Sequence, residues 1–201
     1  MKLTIKLGAI NHGDVAVKLM PLLAQSAGNF HGAVGKTVAA IANLPDNLIR
    51  DIFDAIPENE KNGIIAAYAM EYKDRILSKL NNLSMHHNLG LKLADCLIDQ
   101  DLTIVAEVSE IDYIAIVDRF LPAIRDKLLG MGRLVAMFRP MIQNASAEQT
   151  VGLLNRIVGE NKEAFLVSLI NQNQHNLIST IEDAAEKQNI RLKINEIILE
   201  V

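Results

Sequence analysis

The segment Gly28-Asn29-Phe30-His31-Gly32-Ala33-Val34-Gly35-Lys36-Thr37 holds the residue types from which a phosphate-binding loop is made. Such a loop places four residues between its first glycine and the Gly-Lys-Thr end, so that successive N–H groups fold around the phosphates. Here six residues separate Gly28 from Gly35, and Phe30 stands where the first glycine belongs. Pro21 also interrupts the apolar run 19–23 that would have to be the preceding central strand. The segment therefore reads as a turn between helices, with Lys36 on its rim.

The other chemistry-bearing residues converge no better. His86 and His87 are neighbours, so on a helix they point about 100° apart and cannot act as an i, i+4 metal pair. No HExxH, CxxC or Gly-x-Ser-x-Gly spacing occurs, and the expected metal and cofactor content is none. The single cysteine, Cys96, lies in an apolar run and reads as a small core residue. Asp51 and Asp54, and Glu58 and Glu60, fall at helix starts, where carboxylates favour the dipole. If the protein binds a small ligand or is an enzyme, its pocket is expected between the two halves of the chain. His31, Lys36 and Arg133, in the glycine-containing segments, are the candidate ligand-binding residues for it.

The elements that must position these residues come in two sets. Shifting the numbering by 101 lays Asn88 to Leu93 on Asn189 to Ile194, Pro21 on Pro122, and Ile41 and Asn43 on Ile142 and Asn144, with no gap. A repeat of this length predicts two copies of one small unit, residues 1–100 and 101–201, rather than a solenoid. Each copy reads strand, helices, strand. Residues 2–8 alternate, with Leu3, Ile5 and Leu7 on one side and Lys2, Thr4 and Lys6 on the other. Two apolar runs, 89–98 and 102–108, are separated by Asp99-Gln100-Asp101 and predict a hairpin at the junction of the copies. Residues 190–200 close the second copy with another strand.

Between the strands the apolar period lengthens to that of helices. Asp112 is placed to cap the first helix of the second copy, and Pro21 and Pro122 predict a kink or boundary at equivalent places. A short helix is expected at 46–56 and 147–157, capped by Asp46 and Ser146, and a long one at 58–86 and 160–187. The amide-rich run 171–176 reads as a solvated helix face. The fold class expected is α+β and mostly helical. It is an internal duplication of a β-α-α-α-α-β unit, with four short strands in one small sheet of pseudo-twofold symmetry.

With half the residues apolar and aromatics at only 4%, aliphatic side chains must fill the interior. The net charge of −4 carries no basic or acidic tail, so nucleic acid is not indicated as a partner. No continuous apolar stretch suggests a leader or a membrane span, and a cytoplasmic location is the expectation. Lys2, Lys6, Lys92, Arg191 and Lys193 are expected on the outer sheet face, as a surface for an acidic protein partner. The segments 15–45 and 128–145 carry few charges, which suggests a homodimer through helix faces. The function expected is a non-catalytic interaction or structural protein.

Overall fold

The computed structural model describes residues 1–26, 36, 39–41 and 43–201. Its strands are β1 (Lys2–Ile10), β2 (Leu91–Ile98), β3 (Thr103–Ile111) and β4 (Leu192–Glu200). They form one antiparallel sheet in the order β2-β3-β1-β4. Described helices between β1 and β2 are α1 (His12–Ser26), α2 (Asp46–Ala55), α3 (Glu58–Glu71) and α4 (Lys73–His86). After β3 come α5 (Tyr113–Arg119), α6 (Leu121–Gly130), α7 (Arg133–Ala136), α8 (Arg139–Asn144) and α9 (Ala147–Ile157). A 3-10 turn (Gly159–Asn161) then leads into α10 (Lys162–Gln172) and α11 (Gln174–Glu186). None of the described helices is long and apolar enough to cross a membrane.

The period of two in β1 does what it predicts: Leu3 and Ile5 are buried while Lys2 and Lys6 are exposed. The hairpin forms between β2 and β3, and Leu102 supplies the positive φ that its turn needs. Under the sheet, Leu93, Cys96, Ala106, Ile194, Ile197 and Leu199 join Ile124, Leu154, Leu166 and Leu169 from the later helices in one buried cluster. A second cluster ties α1, α2 and α3 together through Ala16, Met20, Ile49, Phe53, Ile65 and Ala66. Each large aliphatic side chain buried there contributes roughly 1.5–3 kcal/mol.

The register is the most regular feature of the sheet. Leu3 lies opposite Leu199, Ile5 opposite Ile197 and Leu7 opposite Ile194. The same pairs displaced by 101 residues, Ile104 with Ile98, Ala106 with Cys96 and Val108 with Leu93, join β3 to β2. Both ladders slip at matching places, so that Gly8, Asn195, Ala94 and Ser109 are left out of the pairing. Thr4 and Val105 face each other at the centre of the β1–β3 pair.

The helices follow the same spacing, with differences from the sequence expectation. The long helix is two helices in each half, broken at Tyr72 (φ −106°, ψ 23°) and at Asn173 (φ −113°, ψ 22°). Neither break has a proline or glycine to announce it. The first helix of the second half ends at Phe120, which puts Pro122 in the first turn of α6, where its missing N–H costs nothing. Its counterpart Pro21 lies inside a continuous α1. Asp112 caps α5 by accepting from the N–H groups of Ile114 and Ala115, and Ser146 forms a capping box with Gln149 on α9. Asp46 does not cap α2. Pro45 takes that position and leaves Asp46 in the first turn, where its charge still favours the dipole.

Candidate functional site

The sheet has one open face and two capped edges. Lys2, Lys6, Leu97, Glu107 and Glu200 on the outer face are exposed, and Leu97 keeps 61% of its surface. Register places Leu97, Val105, Thr4 and Ile198 in one row across all four strands. A row that is apolar except for Thr4, exposed at Leu97 and half-buried at Thr4, Val105 and Ile198, therefore crosses the middle of the face. On one side of it lie Glu107, Lys2 and Glu200, and on the other Thr103, Lys6 and Glu196.

The outer cations expected from the sequence stand among carboxylates. Lys6 pairs with Glu196 at 2.8 Å, Lys92 with Glu110 at 3.1 Å and Lys193 with Glu182 at 3.0 Å. Lys2 lies between Glu107 and Glu200 on its two neighbouring strands. Around the row, four carboxylates (Asp95, Glu107, Glu196 and Glu200) accompany two lysines, so these pairs set a pattern of charge rather than a basic surface. Without the register, the sequence could not say which carboxylate would face which lysine.

Arg191 is occupied differently. Its guanidinium donates to both oxygens of Asp14, at 2.7 and 3.2 Å, and Arg50 donates to the same carboxylate. Asp14 is only 3% exposed. The hydrogen bonds from Arg191 hold its pKa far below the usual carboxylate range, against the burial that would raise it. The cluster locks α1 to α2 and to the entrance of β4.

Both edges of the sheet are covered by helix side chains. On β2, the N–H and C=O of Leu93 bond to the Asn81 amide at 2.8 and 2.9 Å, Ser84 does the same for Leu91, and Met70 Sδ accepts from the Ile98 N–H. On β4, the N–H and C=O of Leu199 bond to the Asn171 amide at 2.8 and 2.9 Å. Gln174 accepts from the Ile197 N–H and Glu182 from the Ile194 N–H. Each side-chain amide stands in for a neighbouring strand, which blunts the edges against pairing with another chain. This corrects in part the reading of 171–176 as a solvated face: Gln172, His175 and Asn176 are exposed, but Asn171 and Gln174 seal β4. Their role depends on which strand the helix lies beside, and that leaves no local signal.

Among the clefts lined by residues of both halves, two lie at positions 101 residues apart. One, about 400 Å³, is lined by Asn81, Asn82, Asn88, Lys92, Glu110 and Asp112 among others. The other, about 480 Å³, has Glu182, Asp183, Glu186, Asn11, Arg191 and Lys193 around it. Lys36 and Arg133 are exposed and line neither cleft, and His31 lies outside the described residues. His12 is held by Asn62 at 2.7 Å, as Tyr113, displaced by 101, is held by Glu163 at 3.0 Å. The Cys96 thiol is 2% exposed, and burial pushes its pKa up, away from the thiolate a nucleophile needs. Among the described residues no group of His, Cys, Asp and Glu is arranged to hold a metal ion.

The chain matches no family model, no curated protein and no solved structure.

Proposed function

We propose that the protein is a non-catalytic interaction module whose contact surface is the uncovered face of its sheet. The observation that supports this most is the apolar row Leu97–Val105–Thr4–Ile198, left without a helix over it and bracketed by charged rows. Open antiparallel faces are ordinarily polar, and apolar side chains retained in a row across one favour a partner that covers them. The sealed edges argue the same way, because they leave strand addition no free ladder to extend. The complement of this face is an apolar strip with mixed charge at its rim.

The reading includes the architecture. Residues 1–100 and 101–201 are two copies of one unit, related by a pseudo-twofold through the Thr4–Val105 pair. It is supported by the matching registers and bulges, by the helix breaks at Tyr72 and Asn173, and by the edge caps at Asn81 and Glu182. Asn88 and Asn189, both at positive φ after α4 and α11, add to it.

The test is the size of the native complex. In lysate of the source cell, the tagged chain should migrate well above the purified 22.1 kDa chain run alone at the same concentration. Leu97→Asp with Val105→Asp should bring it down to the size that the purified chain alone shows at the same concentration, while its thermal melt stays near wild type. A wild-type chain that runs free, or a variant that stays in the complex, would overturn the proposal. A second reading, a small polar ligand, is favoured by the recurrence of a cleft at the same place in both halves. Reproducible thermal stabilisation by one nucleotide, metal or metabolite, reduced in Lys92→Ala or Lys193→Ala, would support it.

A further inference from the structure

Two helical surfaces away from the sheet are apolar, exposed and opposite in charge. From Lys127 to Ala147 the sequence has no acidic residue but has Lys127, Arg133 and Arg139. Within it Met131, Met137, Phe138 and Met141 are exposed, Met137 at 76% and Phe138 at 59%. Neither Arg133 nor Arg139 has an ion-pair partner among the described residues. Methionines beside arginines make an adaptable, cationic contact surface.

The other surface is the outer side of α2. Leu48 and Ile52 stand one turn apart and exposed, with exposed Asp51 and Asp54 beside them. The inner side of the same helix buries Ile49 and Phe53, so packing within the chain is already satisfied there. Among the described residues the Asp51 and Asp54 carboxylates have no ion-pair partner either.

We infer that the α2 face of one molecule docks on the 131–141 face of a second copy of this chain. The inference rests on the reading of the protein as an interaction module and names one of its partners. Apolar side chains meet at the centre, and Asp51 and Asp54 meet Arg133 and Arg139 at the rim, an arrangement that sets register and orientation. Because the two surfaces are different patches, the contact either forms twice across a two-fold axis in a dimer or runs head-to-tail as a ring or filament.

Sedimentation velocity of the purified chain tests this. The wild type should show species heavier than 22.1 kDa that grow between about 1 and 100 µM and shrink as salt rises. Arg133→Glu with Arg139→Glu, and separately Asp51→Lys with Asp54→Lys, should each weaken association at least about tenfold. Mixing the two variants should restore it, since each then offers the charge that the other lacks. A wild type that stays monomeric at 100 µM, or variants that associate as it does, would overturn the inference. Leu97→Asp with Val105→Asp should leave this association unchanged; loss of self-association in that variant would also count against the faces named. Failure of the sheet-face proposal is read separately, from the native complex.

Discussion

Replacing Asn81 or Asn171 by alanine removes a side chain that acts as a substitute strand. Each amide makes two hydrogen bonds to one edge residue, Asn81 to Leu93 and Asn171 to Leu199, all between 2.8 and 2.9 Å. A net value of about 1 kcal/mol per bond gives a loss of about 2 kcal/mol for each variant. Alanine's better helix propensity returns about 0.5 kcal/mol, so the expected cost is about 1.5 kcal/mol. For a chain of this size that is about 3–6 °C in melting temperature. Asn82→Ala, on the same helix and without a described hydrogen bond, serves as the control and should gain slightly. Urea unfolding at constant m reports the differences as shifts in midpoint. The edge N–H left behind should also make both variants more prone to aggregate on partial unfolding. If both variants unfold at the midpoint of Asn82→Ala, the side chains are not holding the edges and the reasoning fails.

Asp14 gives the fold its clearest acid sensitivity. Its folded pKa is depressed, so its stabilisation is complete above the unfolded value of about 4 and is lost as pH falls through the folded value. At pH 7, Asp14→Asn should cost about 1–3 kcal/mol, because Arg191 and Arg50 still reach water when the charge is lost. The gap to wild type should narrow steadily below pH 4 in thermal melts. Gly90 has φ +66°, and an added Cβ would meet the Ile116 side chain and stand 2.6 Å from the Asp112 carbonyl oxygen. Gly90→Ala should therefore cost about 2–4 kcal/mol by the same urea measurement. The Cys96 thiol should react with a thiol reagent only on the timescale of unfolding in native buffer, and at once in denaturant.

What the sequence made legible was local. Alternation placed Leu3 and Ile5 inside and Lys2 and Lys6 outside, and the side-chain oxygens of Asp112 and Ser146 lay at the right distance from helix N–H groups. The features hidden from it depend on what lies across a gap. Asn171 and Gln174 read as solvated amides until α10 and α11 are seen beside β4, and Lys6 reads as a free cation until the register sets Glu196 opposite. The breaks at Tyr72 and Asn173 likewise leave helix-compatible residues in place, so the apolar stripe runs through them without a signal. Of the candidate residues, the lysines of the strands were placed by period alone. Those of the glycine-containing segments rest on residue type alone, and Lys36 and Arg133 line neither of the two clefts described above.

The position at which a partner touches the chain can be read directly by cross-linking. A photo-reactive amino acid at Leu97, introduced in the source cell and irradiated, should give one discrete covalent adduct heavier than the chain. The same probe at exposed Gln188 should give none. An adduct from Gln188 alone, or free chain from both positions, would contradict the assignment of the open sheet face.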